Sequence, residues 1–98
     1  EKDAAVAAPG MLASHYAPTK RVRLNAETAS SDEWHIGFDK IEGDDNLSAS
    51  GNLAEAAARL FAALHIADES ARSAIAVAPV PTTDIGEAIN DRLKRAAA

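Results

Sequence analysis

The chain reads as a small three-layer α/β domain with a short, mainly parallel sheet, preceded by an extended linker. Three observations predict this class. Polar and apolar residues alternate at Arg21, Val22, Arg23 and Leu24 and again over residues 34–38, the period of a strand with one buried face. Two later segments carry apolar residues at helical spacing. Between them, residues 73–78 read Ser-Ala-Ile-Ala-Val-Ala without strict alternation, as in a strand covered on both faces. A helix leading into such a strand implies a parallel crossover.

Taken in order, residues 1–8 are charged and then alanine-rich, the frayed end of a helix. Because the chain opens on Glu1, it is expected to continue a longer polypeptide. Pro9 and Gly10 stop that helix, since proline restricts the residue before it and glycine frees the backbone. The following stretch, closed by Ala17 and Pro18, holds the one Tyr, the one Met and one of the three His residues of the chain. Linkers are usually filled with Ser, Gly, Pro or charge because nothing in them docks. Tyr16 instead offers an apolar ring with a hydrogen-bonding tip, and His15 beside it can donate, accept or carry charge near neutrality. Composition alone leaves two readings open, an ordinary tether and a docking strap.

The first strand is expected over residues 21–24. The second holds Trp34, Ile36 and Phe38 on one face and His35 on the outer face. Residues 39–51 are acidic and turn-rich, so Glu42, Gly43, Asp44, Asp45 and Asn46 are expected to form a loop. Asn52 opens the clearest helix, with Glu55 three residues later as a capping-box partner. Its stripe runs Leu53, Ala57, Leu60, Leu64 and Ala67, widened by Phe61. Pro79 and Pro81 end the third strand. Asp84 and Glu87 form a second capping box, after which Ile85, Ala88, Ile89, Leu93 and Ala96 line the last helix. Residues 1–20 are thus the end of a preceding domain and its linker, and residues 21–98 the α/β domain.

At 98 residues the chain makes one domain that buries roughly 60–65% of its unfolded surface, too little for a core plus a deep catalytic cleft. With 15 acids against 10 bases, the net charge of −5 disfavours a free-standing binder of nucleic acid, DNA included. Lack of cysteine excludes disulfides and thiolate metal sites. The longest apolar run, residues 74–80, is far short of the ~20 residues of a membrane span.

Three constellations invite a chemical reading. His15, His35 and His65 match no compact metal-ligand spacing and fall on different elements, so no metal site is expected. Ser50, Gly51 and Asn52 could face an anion at a helix N-terminus, but capping accounts for the same residues without a phosphate loop. Lys20, Arg21 and Arg23 could guide an anion, although alternation makes the arginines a solvated strand face first. No Ser/His/acid set has catalytic spacing, so no catalytic residue is assigned.

The residues Pro9, Gly10 and Met11 followed by His15, Tyr16, Ala17 and Pro18 resemble the interdomain linker of the two-domain L-threonylcarbamoyladenylate synthases, the long form of the YrdC family. The ending Ile85, Gly86, Glu87, Ala88, Ile89, Asn90, Asp91, Arg92, Leu93, Lys94, Arg95 is similar to that family's C-terminal helix, and residues 46–61 to its principal helix. The resemblance covers residues 8–98 and implies a Rossmann-like C-terminal accessory domain. It also implies an enzyme, of which this is one part, that converts ATP, L-threonine and bicarbonate, with Mg2+, into threonylcarbamoyl-adenylate and pyrophosphate for tRNA modification in the cytoplasm. The partner implied is an N-terminal YrdC-like catalytic domain, which would bind the ATP and threonine, and His15 and Tyr16 would contact nucleotide as the linker closes. Leu12, Ala13 and Ser14 depart from the family's usual basic-aromatic-basic run, and the domain has room for about three strands. An alternative is an interaction module that recruits a tRNA-modification partner through Asp91, Arg92 and Arg95.

Overall fold

A computed structural model describes residues 17–98, arranged as β1 (Arg21–Arg23), β2 (Glu33–Gly37), β3 (Asp45–Asn46), α1 (Leu53–Glu69), β4 (Ala74–Val77) and α2 (Ile85–Ala97). The four strands form one sheet in the order β1-β4-β2-β3, and every pairing is parallel. The register sets Val22 beside Ile75, Ile75 beside Trp34, and Val77 beside Ile36. Because side chains alternate along a strand, these residues share one face. Both helices pack on the sheet and against each other. Leu60, Leu64, Ile89 and Leu93 join Val22, Ile36, Ile75 and Val77 in a single core cluster. Central β4 is buried on both faces, as its unbroken apolar run predicts: Ile75, Ala76 and Val77 are all closed to solvent.

The third layer is a loop. β1 and β2 flank β4 and run parallel to it, so residues 24–32 must return across a sheet face to start β2. They cross the face opposite the helices. There the Ala26 amide donates to the Val77 carbonyl at 2.8 Å, and the Ala26 carbonyl lies 2.8 Å from Nε2 of His35. His35 is therefore buried, at 7% exposure, where a solvent-facing position was expected. A parallel crossover covers what alternation alone leaves open.

The acidic stretch also corrects the expected loop and the expected three strands. Asp45 and Asn46 pair with Ile36 and Gly37 as a fourth, edge strand. The Asp44 amide donates to the His35 carbonyl at 2.8 Å, while the Asp44 carboxylate accepts from the His35 amide at 2.8 Å. Arg59 of α1 donates to the Asn46 carbonyl and reaches Asp45 at 3.2 Å, offsetting its charge. Gly43 is required for this approach, because a Cβ there would collide with the His35 carbonyl oxygen.

On α1 the buried stripe is Ala56, Leu60, Ala63, Leu64 and Ala67. It is turned toward the small residues, which let the helix lie close to the sheet. Phe61, expected to widen the core, is instead 47% exposed. On α2 the buried positions are Gly86, Ile89, Leu93 and Ala96, and the expected Ile85 and Ala88 face outward. Asp84 makes no side-chain capping bond and takes φ 54° and ψ −130°, so the second capping box does not form. Asn90 serves that region instead, reaching the carbonyls of Val80 at 3.0 Å and Gly86 at 2.8 Å.

Candidate functional site

The two residues singled out for nucleotide contact, His15 and Tyr16, lie outside the described residues. What is described is the point where their segment joins the domain. The Thr19 amide donates to both carboxylate oxygens of Asp68, at 3.0 and 3.2 Å, and the Thr19 hydroxyl donates to the same group at 3.0 Å. The Lys20 amide adds a further bond at 3.2 Å. Asp68 stands in the last turn of α1. The Lys20 ammonium continues past it to the carbonyls of Ala67 at 3.1 Å and Ser70 at 2.8 Å.

Helix chemistry explains why the chain is held there. The last carbonyls of a helix lack intrahelical partners and carry partial negative charge. α1 has no basic residue in its own last turn. Lys20 brings the missing cation from outside the helix, and Ser70, the C-cap, adds its hydroxyl to the Ala67 carbonyl at 2.7 Å. Thr19, Lys20 and the helix end are thus one structure. Nothing in the local pattern around Lys20 signals this, since its partners lie 47 to 50 residues away.

The basic cluster expected from Lys20, Arg21 and Arg23 is divided by these contacts. While Lys20 closes α1, Arg23 forms a two-point pair with Glu33 at 3.0 and 2.8 Å, and donates to the Thr28 carbonyl at 3.0 Å. The Arg23 hydrogen bonds, with the Ser30 amide, pull the Glu33 carboxyl down from 4.5 to about 2, and Glu33 in turn raises Arg23. The pair ties the returning loop to β1. A cavity of about 230 Å³ beside it is lined by Arg21, Arg23, Ser30, Asp32, Glu33, Ala74 and Ile75. It lies at the starts of the strands, whereas parallel α/β sheets bind ligands beyond the strand ends.

The N-terminus of α1 is satisfied by its own neighbours. Asn52 Oδ1 accepts from the Glu55 amide at 2.8 Å, as a capping box requires. The reciprocal half runs through Ser48, which donates to Glu55 Oε1 at 2.6 Å and accepts from the Asn52 amide at 2.9 Å. The residues considered for an anion, Ser50, Gly51 and Asn52, belong to this cap. Gly51 takes φ 77°, a conformation natural to glycine. His65 lies on α1 within 3.2 Å of Glu69, well separated from buried His35. Among the described residues, no group of three or more His, Asp or Glu side chains converges where a metal ion could sit. Nor, among them, is any helix long and apolar enough to cross a membrane.

These features define a class: a small all-parallel α/β domain with Thr19 and Lys20 held at the end of its longer helix. Over residues 1–98 the sequence matches the family model described as threonylcarbamoyl-AMP synthase, C-terminal domain, and the chain belongs to that family. It is part of a threonylcarbamoyl-AMP synthase. No curated protein and no solved structure matches the chain significantly.

Proposed function

We propose that this domain holds a strap that closes over the nucleotide site of the synthase, with His15 and Tyr16 as its contacts. The observation that carries the reading is the four-bond clasp of Thr19 and Lys20 on Asp68. Tyr16 lies only three residues before Thr19, so its backbone stays within about 10 Å of that anchor. A strap fixed at one end samples a small volume, which raises the effective concentration of its side chains at any site within reach.

Family membership implies association with a YrdC-like catalytic domain. In this reading that domain binds ATP, L-threonine and the divalent cation, and makes the adenylate that feeds threonylcarbamoyladenosine formation in cytoplasmic tRNA. The strap's contribution is exclusion of water from a labile mixed carbamate and adenylate, the service that closing lids provide. Tyr16 suits the task because its ring seals while its hydroxyl bonds.

The test is turnover of the synthase carrying Tyr16→Ala. Lower threonylcarbamoyl-adenylate output together with a raised KM for ATP is expected. Unchanged output with unchanged ATP affinity would remove Tyr16 from the site.

A further inference from the structure

We propose that the cavity between β1 and the returning loop is a binding site for a small zwitterionic α-amino acid. The site lies wholly within the α/β domain and stands whether or not a strap covers a nucleotide. Its floor follows from the sheet register. Arg21, Ala74 and Glu33 lie side by side across β1, β4 and β2, and Arg23, Ala76 and His35 form the next row. Both rows face away from the helices, because Val22, Ile75 and Trp34 between them face the core. The returning loop covers the second row, where the Thr28 carbonyl accepts from Arg23 and the Ala26 carbonyl lies against His35. It leaves the first row open, with Ala74 half-buried and Arg21 exposed. Because position 74 carries only a methyl group, the space above it remains, and this is the cavity of about 230 Å³.

Charge names the ligand. Arg21, Arg23, Asp32 and Glu33 all line the cavity, so its two cations and two anions cancel. Arg23 and Glu33 are occupied with each other, and Glu33, 8% exposed, also accepts from the Ser30 amide at 2.9 Å and hydroxyl at 3.0 Å. The other two charges stay apart. Among the described residues, neither the Arg21 guanidinium nor the Asp32 carboxylate has a hydrogen-bonding or ionic partner. The backbone fixes their separation: Arg21 is paired with Ala74 in the sheet, and the Asp32 carbonyl accepts from the amides of Ser73 at 3.0 Å and Ala74 at 3.1 Å. An unpaired guanidinium suits a carboxylate, which it can meet with two parallel N–H groups. The Asp32 carboxylate suits an ammonium in the same way. A phosphate gains nothing from a lining of zero net charge, and both helix N-termini, where phosphates usually bind, lie at the opposite edge of the sheet. A zwitterion answers both open charges and brings no net charge of its own. The cavity is smaller than the ~300 Å³ at which pockets for drug-sized ligands begin, which limits the guest to a short side chain.

The probe is L-threonine, short and hydroxylated, titrated into the 15N-labelled 98-residue chain. We expect saturable shifts of the Ser30, Asp32, Glu33 and Ala74 amides, with a Kd of about 1 mM. Arg21→Gln and Asp32→Asn should each weaken binding about tenfold, the loss of one charge-assisted contact. Neither substitution removes a side-chain bond of the fold. Lys94→Gln, on α2, should leave binding unchanged. Two analogues repeat the test on the unaltered protein. The methyl ester of L-threonine lacks the carboxylate and N-acetyl-L-threonine lacks the ammonium, so each should bind about tenfold more weakly. Absence of a saturable shift, or indifference to both Arg21→Gln and Asp32→Asn, would overturn the proposal. So would equal binding of either analogue or of inorganic phosphate, which would make the cavity a seat for a single charge. Because the assay contains no catalytic domain, its outcome is separate from that of the Tyr16→Ala turnover test.

Discussion

The two ends of α1 solve one problem with opposite resources. At the N-terminal end the unpaired amides are met by Asn52 and by Ser48, whose hydroxyl is held by Glu55, all within a few residues. At the C-terminal end the unpaired carbonyls are met by Lys20, which lies 47 to 50 residues earlier in the chain. The first arrangement is a local stop signal that sets where the helix begins. The second is a long-range closure that ties Thr19 and Lys20 to the helix end.

Substitutions at the two ends should separate these roles. Ser48 is 1% exposed and serves both halves of the N-terminal cap. Ser48→Ala leaves the Asn52 amide and the Glu55 carboxylate without it, and should lower unfolding free energy by about 1–3 kcal/mol in chemical denaturation. It should leave the Thr19 and Lys20 bonds to Asp68 unchanged.

The loop crossing that brings β1 and β2 together is probed by acid. The Glu33 carboxyl titrates at about 2 in the fold against 4.5 unpaired. A depressed carboxyl stabilises the folded form fully above the unfolded value. Thermal midpoints should therefore fall as pH drops from about 4.5 toward 2, and Glu33→Gln should flatten that part of the profile. An equal slope in the variant would assign the acid sensitivity to other groups.

Lys20→Ala removes the cation from the C-terminal end of α1 and should cost about 0.3–1 kcal/mol, since the charge is partly solvated. In the synthase the same change should weaken ATP affinity more than Ser48→Ala does, despite its smaller effect on stability. A stability ranking mirrored in the activity ranking would erase the distinction between the two ends. Smallest of all is the Asp91–Arg95 pair on α2, at 3.1 Å with both side chains 58% exposed. Arg95→Ala should change stability by only a few tenths of a kcal/mol in the same denaturation assay.

Most of the architecture was legible because it rests on local pattern. Alternation located β1 and β2, the unbroken apolar run located the central strand, and Asn52 with Glu55 located the start of α1. What escaped was non-local. β3 arises from two backbone pairings and an Arg59 contact across the domain, none of which an acidic, turn-rich stretch announces. His35 is buried by a loop whose path follows from strand order, which periodicity does not encode. Phe61 was misassigned because a helical stripe can be centred on alanines when the helix lies close to its sheet. The Lys20 and Asp68 clasp had no signal beyond the missing cation in the last turn of α1. That deficit, noticed in the sequence, asks which distant lysine or arginine fills it.

The central claim, that Thr19 and Lys20 are fastened to the end of α1, is tested most directly by amide hydrogen exchange at these two residues. Both amides donate to Asp68, so both should exchange more slowly than unstructured chain. Asp68→Ala should restore fast exchange at these two positions, while the amides of β4 stay protected. Exchange at unstructured rates in the unaltered protein, or protection that survives Asp68→Ala, would contradict the account.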